Sequence, residues 1–307
     1  MQRKEKETSF KFYQNKAESY RHTHIMPLQL IVYSSSRASL TRTTPPGLEE
    51  LETVPTSYTL IYGDHDAILV DVPLTTEAAR RVAEQVASTG KALKYIYITH
   101  PHGDHYFGLS VLLAVFPDAK AVASEEAVAA MEKEVERERD PSTAFFNRLF
   151  RAEVSEELIV PEALYGDEIE LEGEKLMVVR TGHTDTDHTT TLWVPSVGLA
   201  VTGDSTYNNV HPYLGESKTK ALRNDWMKAL GIIEALKPRW VVSGHKDPTK
   251  DDDGPRVIKE TRRYFTDLEL TVQETGSVDE LYYSMLKAYP ARLNPGSLWG
   301  AANVLKG

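Results

Sequence analysis

The chain contains no cysteine. That removes disulfides, thiolate metal ligands and cysteine nucleophiles together, so any metal must be held through nitrogen and oxygen. No run reaches the roughly 18 to 20 consecutive apolar residues that a membrane-spanning helix needs. Met1 to Tyr20 is polar and charged, without the apolar centre of a secretory signal. These absences lead us to expect a cytoplasmic protein. Positive charge is also scarce: 35 Lys and Arg stand against 45 Asp and Glu, a formal net charge of -10. Nucleic acids and anionic membranes both require a basic face, so neither is an expected partner. A small-molecule substrate is expected, and a homodimer stays open.

What is present suffices for a full core. The 307 residues are 41% hydrophobic and 26% charged, which suits an ordinary globular protein. Residues 1 to 26 are mixed in charge, lack periodicity and read as a disordered arm. From residue 27 to 307 the chain reads as a single domain. Strands are expected at Leu28–Tyr33, Ser57–Tyr62 and Ala67–Val72, the last two joined by a turn at Gly63–Asp66 that holds His65 in solvent. Thr75 can cap a helix running to about Ser88. Tyr95–Ile98 is a short buried strand, followed by a helix through Leu109 to Phe116 and a strand at Ala121–Ala123. Residues 124–152 read as a helical insertion broken at Pro141. Its Phe145, Phe146, Leu149 and Phe150 either pack on the body or wall a substrate pocket. Strands resume at Glu168–Leu171, Lys175–Val179, Thr190–Val194 and Leu199–Thr202. A helix over Lys218–Leu236, a strand at Trp240–Val242 and a helical tail from about residue 255 complete the order. Strands interleaved with helices indicate a layered α/β domain.

Chemistry concentrates where strands end. Thr99-His-Pro-His-Gly-Asp-His105 places three histidines and a carboxylate within six residues, directly after an apolar strand. Solvated loops favour Asp, Asn, Gly and Lys, whereas chains leaving buried strands carry side chains to a sheet rim, where clefts form. Three later segments share that form: an apolar strand, a glycine, then one ligand type. They deliver His183, Asp204 and His245.

The pattern T-H-x-H-x-D-H followed by G-H, G-D and G-H resembles the metallo-β-lactamase superfamily over roughly residues 28 to 250. The resemblance implies a four-layer αββα sandwich with two metal ions at one edge. It implies that His100, His102 and His183 hold the first ion, that Asp104, His105 and His245 hold the second, and that Asp204 bridges them. Asp71 matches an early aspartate that supports the metal loop without binding metal. Nitrogen and carboxylate donors suit two Zn2+, with iron or manganese as substitutes. Hydrolysis by a metal-activated water is then the expected chemistry, with Asp104 a candidate proton acceptor. The aspartate at 204 stands where the best-known β-lactamases of the superfamily carry cysteine, which points toward relatives with a bridging aspartate.

Tyr207 lies three residues past Asp204, an offset similar to that of the superfamily's lactonases. The resemblance therefore implies opening of a cyclic ester or amide, a lactone or lactam, with the Tyr207 phenol stabilising the oxyanion. Tyr207, His211 and Phe146 are candidate substrate contacts, and His188 is a weaker one. A glyoxalase II-like thioesterase is an alternative, although Lys246-Asp-Pro248 lacks that family's aromatic and basic pattern. Mono-iron sulfur dioxygenases and di-iron redox proteins on the same scaffold share the ligand pattern; the redox proteins need a flavin partner, and the chain has no G-x-G-x-x-G fingerprint.

Overall fold

The computed structural model describes residues 11–12, 27–37, 54–150 and 153–307. One sheet has seven strands in sequence order: β1 (Lys11–Phe12), β2 (Gln29–Arg37), β3 (Val54–Tyr62), β4 (Asp66–Val70), β5 (Ala92–Ile98), β6 (Lys120–Ser124) and β7 (Glu162–Leu164). Pairing is antiparallel from β1 to β4 and parallel from β4 to β7. The second sheet contains β8 (Glu168–Leu171), β9 (Glu174–Gly182), β10 (Thr189–Val194) and β11 (Leu199–Val201). A two-residue strand, β12 (Tyr207–Asn208), follows; β13 (Trp240–Val242) then returns to pair parallel with β11 at the sheet edge. Finally β14 (His245–Lys246) pairs parallel with β12.

The period-two alternation of side chains separates two cores. Leu69 in β4 and Ile96 and Ile98 in β5 face outward. They pack under α1 (Thr76–Ser88), α2 (Leu109–Val115) and α3 (Glu125–Arg139). Their neighbours Ile68, Val70 and Tyr97 face inward and meet Leu176, Val178, Leu192 and Val201 of the second sheet. On the far face of that sheet, Ala200 and Val241 pack against α5 (Lys220–Ala235) and α6 (Gly254–Glu274). The result is helix, sheet, sheet, helix: the expected four-layer αββα sandwich.

Local signals explain the element boundaries. Thr75 Oγ1 accepts from Ala78 N at the start of α1, as expected for an N-cap worth about 1 kcal/mol. Pro141 follows the end of α3, and α4 (Phe146–Phe150) starts a few residues later. The buried Glu138 carboxylate accepts from the backbone of Phe145, Phe146 and Asn147 and satisfies the first turn of α4. The C-terminal layer ends in α7 (Val278–Ala288) and α8 (Pro295–Lys306). Of the segment expected to be a disordered arm, Lys11–Phe12 pair with β2; the rest lies outside the described residues. No helix among the described residues is long and apolar enough to cross a membrane.

Candidate metal centre

Asp71 and the expected ligands follow strand ends, with His183 directly after β9. Asp71 follows β4, the histidine cluster follows β5, Asp204 follows β11, and His245 opens β14 three residues after β13. The two sheets are joined beside the cluster: Thr190 Oγ1, at the start of β10, donates to Thr99 O over 2.7 Å.

Hydrogen bonds behind the rings determine which nitrogen faces inward. Asp71 accepts from Thr99 N at 2.9 Å, Thr99 Oγ1 at 2.9 Å and His105 Nδ1 at 3.0 Å. Its oxygens are thus taken, and Asp71 braces the loop although it stands close to His100 and His105. Because the Thr99 hydroxyl donates to Asp71, it accepts from His100 Nδ1, 2.9 Å away. His245 Nδ1 donates to Pro55 O at 2.8 Å. In each of His100, His105 and His245, Nδ1 is committed and Nε2 is directed into the cluster, the arrangement that orients metal-binding imidazoles. His102 is reversed, with Nε2 3.1 Å from Glu216 Oε1 and Nδ1 facing inward.

The inward atoms converge. His105 Nε2 is 3.4 Å from Asp204 Oδ1, and His245 Nε2 is 3.3 Å from Asp204 Oδ2 and 3.6 Å from Asp104 Oδ2. The His100 and His105 ring centroids are 4.2 Å apart, so the two halves of the site adjoin. Among the described residues, His100 Nε2, His105 Nε2, Asp185 Oδ2 and Asp204 Oδ1 are buried without a hydrogen-bond partner. A buried polar atom without a partner is costly; these form two close pairs, His100 with Asp185 and His105 with Asp204, and each pair fits a cation. Positive charge is favoured at two of the histidines, His102 and His105, and disfavoured by burial at His100. Burial opposes charge on His105, yet Asp204 and Asp71 raise it to about 9. Burial likewise opposes charge on His102, and Asp185 and Glu216 outweigh it. Asp104 overcomes burial through Arg37, His105 and His245, which hold its carboxyl well below the usual range.

Not every expected residue joins the cluster. His183 does not meet His100 and His102: its Nδ1 is 2.7 Å from Asp187 Oδ1 and its Nε2 is 2.8 Å from Ser217 Oγ. Asp185 stands beside that histidine pair instead, 2.7 Å from His102 Nδ1 and 3.5 Å from His100 Nε2. Tyr207 is at the centre, but its hydroxyl donates to Asp204 Oδ2 and its ring stacks on His245 at 5.7 Å. Burial and then the Asp204 charge raise the phenol well above its ordinary value, so it stays a donor. His211 is turned away: it is fully buried in the helical layer, with Nδ1 3.0 Å from the Tyr264 hydroxyl. Its backbone N–H donates to Leu293 O and sets that direction. Burial, then Arg292, lowers it to about 3, so it remains a neutral core residue. His188 and His65 are exposed.

A cavity of about 570 Å³ opens over the cluster. Phe145 and Phe146 form one wall, and Trp299 and Val304 of α8 form another. Phe146 is also packed edge-on to Phe107, at 5.5 Å. The sequence reading missed Arg37, which donates to Asp104 Oδ2, and Glu134, which lines the cavity and accepts from the Tyr106 hydroxyl at 2.9 Å. Burial raises Glu134 from the ordinary 4.5 to about 7. Folding therefore favours its protonated form. The cost is absent below about pH 4.5 and grows as pH rises toward 7. Glu134→Gln is expected to stabilise the fold at pH 8 by up to about 3 kcal/mol and to change nothing at pH 4, read from denaturant melts at both pH values.

A family model described as the metallo-beta-lactamase superfamily matches residues 51–245. The chain belongs to the metallo-beta-lactamase superfamily. Its members are metal-dependent hydrolases, and the convergent donors fit a divalent metal. A hydroxyacylglutathione hydrolase of Francisella tularensis subsp. novicida (strain U112) is 42% identical over 67 residues, 22% of this chain and 25% of that protein. The chain thus matches about a quarter of that relative's length. Among solved structures, a metallo-beta-lactamase family protein from Thermus thermophilus superposes with a TM-score of 0.62 at 21% identity, covering 89% of this chain and 91% of the other. A metallo-beta-lactamase from Pontibacter korlensis gives 0.58 at 15% identity, covering 84% and 100%. At these identities the structural likeness concerns the fold.

Proposed function

We propose that this superfamily hydrolase opens a cyclic ester or amide, a lactone or lactam, at a pair of divalent metal ions, with zinc the first choice. The observation that carries the reading is the Asp204 carboxylate, set between His105 and His245 at the floor of a partly apolar cavity. His100 and His102 would belong to the first ion and Asp104, His105 and His245 to the second. Once bound, the pair supplies Lewis acidity and an acidified water.

The chain's own residues do the rest. Phe145, Phe146 and Trp299 hold the apolar part of a substrate and exclude water, so its carbonyl is directed to the polar floor. Asp104 accepts from Arg37 through Oδ2, which also lies 3.6 Å from His245 Nε2, so the carboxylate is fixed where it can orient a water or take its proton. Tyr207 holds Asp204 in position through Oδ2. Tyr207→Phe is accordingly expected to weaken metal binding about 10- to 100-fold, the scale of a lost outer-shell partner. Activity should fall at limiting metal and recover at saturating metal. Unchanged affinity by calorimetry would mean that the phenol only packs.

A thioester substrate is the second reading, favoured by the local 42% identity to a hydroxyacylglutathione hydrolase. Against it, Lys246 is buried in an ion pair with Asp252 and offers no cation to an anionic thiol carrier. Metal-loaded protein assayed against lactones, β- and γ-lactams, thioesters and phosphodiesters separates the readings. Turnover of lactones or lactams well above thioesters supports the first, and the reverse order replaces it.

A further inference from the structure

We infer that Asp185, and not His183, is the third ligand of the first metal site, making it a two-histidine, one-carboxylate triad. The inference rests on the metal-dependent reading above and adds a ligand to it. Asp185 is completely buried. Its two oxygens differ in a telling way. Oδ1 accepts from the Thr184 hydroxyl at 2.8 Å. Oδ2 has no hydrogen-bond partner among the described residues, though it lies 2.7 Å from His102 Nδ1 and 3.5 Å from His100 Nε2. These three atoms form one of the convergent donor groups of the chain. With His102 Nε2 facing Glu216, the ring's Nδ1 and Asp185 Oδ2 share one positive charge, a proton in the metal-free protein that a bound ion would displace.

The loop is built to present Asp185. Ser217 Oγ donates to Thr184 O at 2.6 Å and also meets His183 Nε2 at 2.8 Å. With His183 Nδ1 on Asp187, both nitrogens of that ring are engaged, and the histidine acts as an anchor for the turn. Thr186 Oγ1 donates to Glu216 Oε2 at 2.7 Å, and the other Glu216 oxygen contacts His102. Asp185 and His102 are therefore fixed by the same outer residues.

The exchange changes the charge of the site. With Asp104, Asp185 and Asp204, three carboxylates face two divalent ions, where a histidine in place of Asp185 would leave two. Oxygen-richer donor sets suit harder ions, and two histidines with one carboxylate suit iron(II) and manganese as well as zinc.

The test strips metal from the full-length protein and titrates zinc and manganese into wild type, Asp185→Asn and His183→Gln, read by calorimetry and elemental analysis. Wild type should bind two ions. Asp185→Asn should keep one and weaken the other by roughly 100-fold or more, since even outer-shell losses cost 10- to 100-fold. His183→Gln should retain both within about tenfold. Cobalt-substituted wild type gives a check independent of any variant: metal-shifted imidazole N–H signals should arise from His100, His102, His105 and His245 alone. A His183 signal among them, or loss of an ion in His183→Gln, overturns the assignment. A wild-type chain that binds no metal overturns the proposed function itself, a distinguishable outcome.

Discussion

Replacing Asp204 by alanine is expected to release at least one metal ion per chain and to lower hydrolysis by on the order of 10³-fold or more. Removing a single preorganised electrostatic group costs about 10²- to 10³-fold, and Asp204 stands between two of the candidate ligand histidines. One oxygen is 3.4 Å from His105 Nε2; the other is 3.3 Å from His245 Nε2 and accepts from Tyr207. Without the carboxylate, His105 and His245 face each other across an uncompensated gap. Unfolding should not account for the loss, because Ser205 O still accepts from Trp226 Nε1 at 2.9 Å and anchors the loop to α5. Unchanged circular dichroism with metal lost is the expected pair of readings. Full metal content and full rate in Asp204→Ala would show that the site is assigned to the wrong residues.

Gly244→Ala is expected to be nearly as damaging, although it removes no donor. A Cβ at position 244 would stand 2.4 Å from Asp204 Oδ1 and 2.7 Å from His105 Cε1. Neither neighbour can yield without moving a ligand, since His105 is held by Asp71 and the other oxygen of Asp204 by Tyr207. The backbone is held too: Gly244 N donates to Gly203 O at 2.7 Å, and Gly244 O accepts from Ser57 N at 2.8 Å. Metal affinity should fall by at least about 10- to 100-fold, and the overpacking should also lower the melting temperature of the metal-free protein, by the equivalent of about 1 to 3 kcal/mol. Wild-type affinity in Gly244→Ala would mean that the donors are looser than this packing implies. Gly203 works differently: its φ of +50° is a left-handed conformation that glycine adopts readily, and Thr99 Oγ1 lies 2.4 Å from where a Cβ would be.

These two glycines show why the centre was legible in sequence. Ligands that follow strand ends need sharp turns and close backbone approach, so strand, glycine and ligand recur as a unit. The same periodic apolar runs that mark strands also gave the layers, and Thr75 located the start of α1. What could not be read depends on contacts distant in sequence. Asp185 and His183 are two residues apart, and which of them faces the histidines is set by Ser217 and Glu216, more than 30 residues later. Arg37 reaches the site because β2 pairs with β3, where Arg37 stands opposite Val54. His211 was expected near substrate from its place after Asp204, but the pairing of Val210 with Leu293 turns it into the helical layer. Strands β7, β12 and β14 are too short to show a period.

The central claim is that this chain hydrolyses its substrate only with metal held by these residues. Metal is stripped from the purified protein with a strong chelator, its removal is verified by elemental analysis, and zinc or manganese is then added back in measured amounts while hydrolysis is followed. The account predicts no activity in the stripped protein and recovery in step with occupancy, complete at two ions per chain. Hydrolysis that persists unchanged after verified removal of the metal would contradict it.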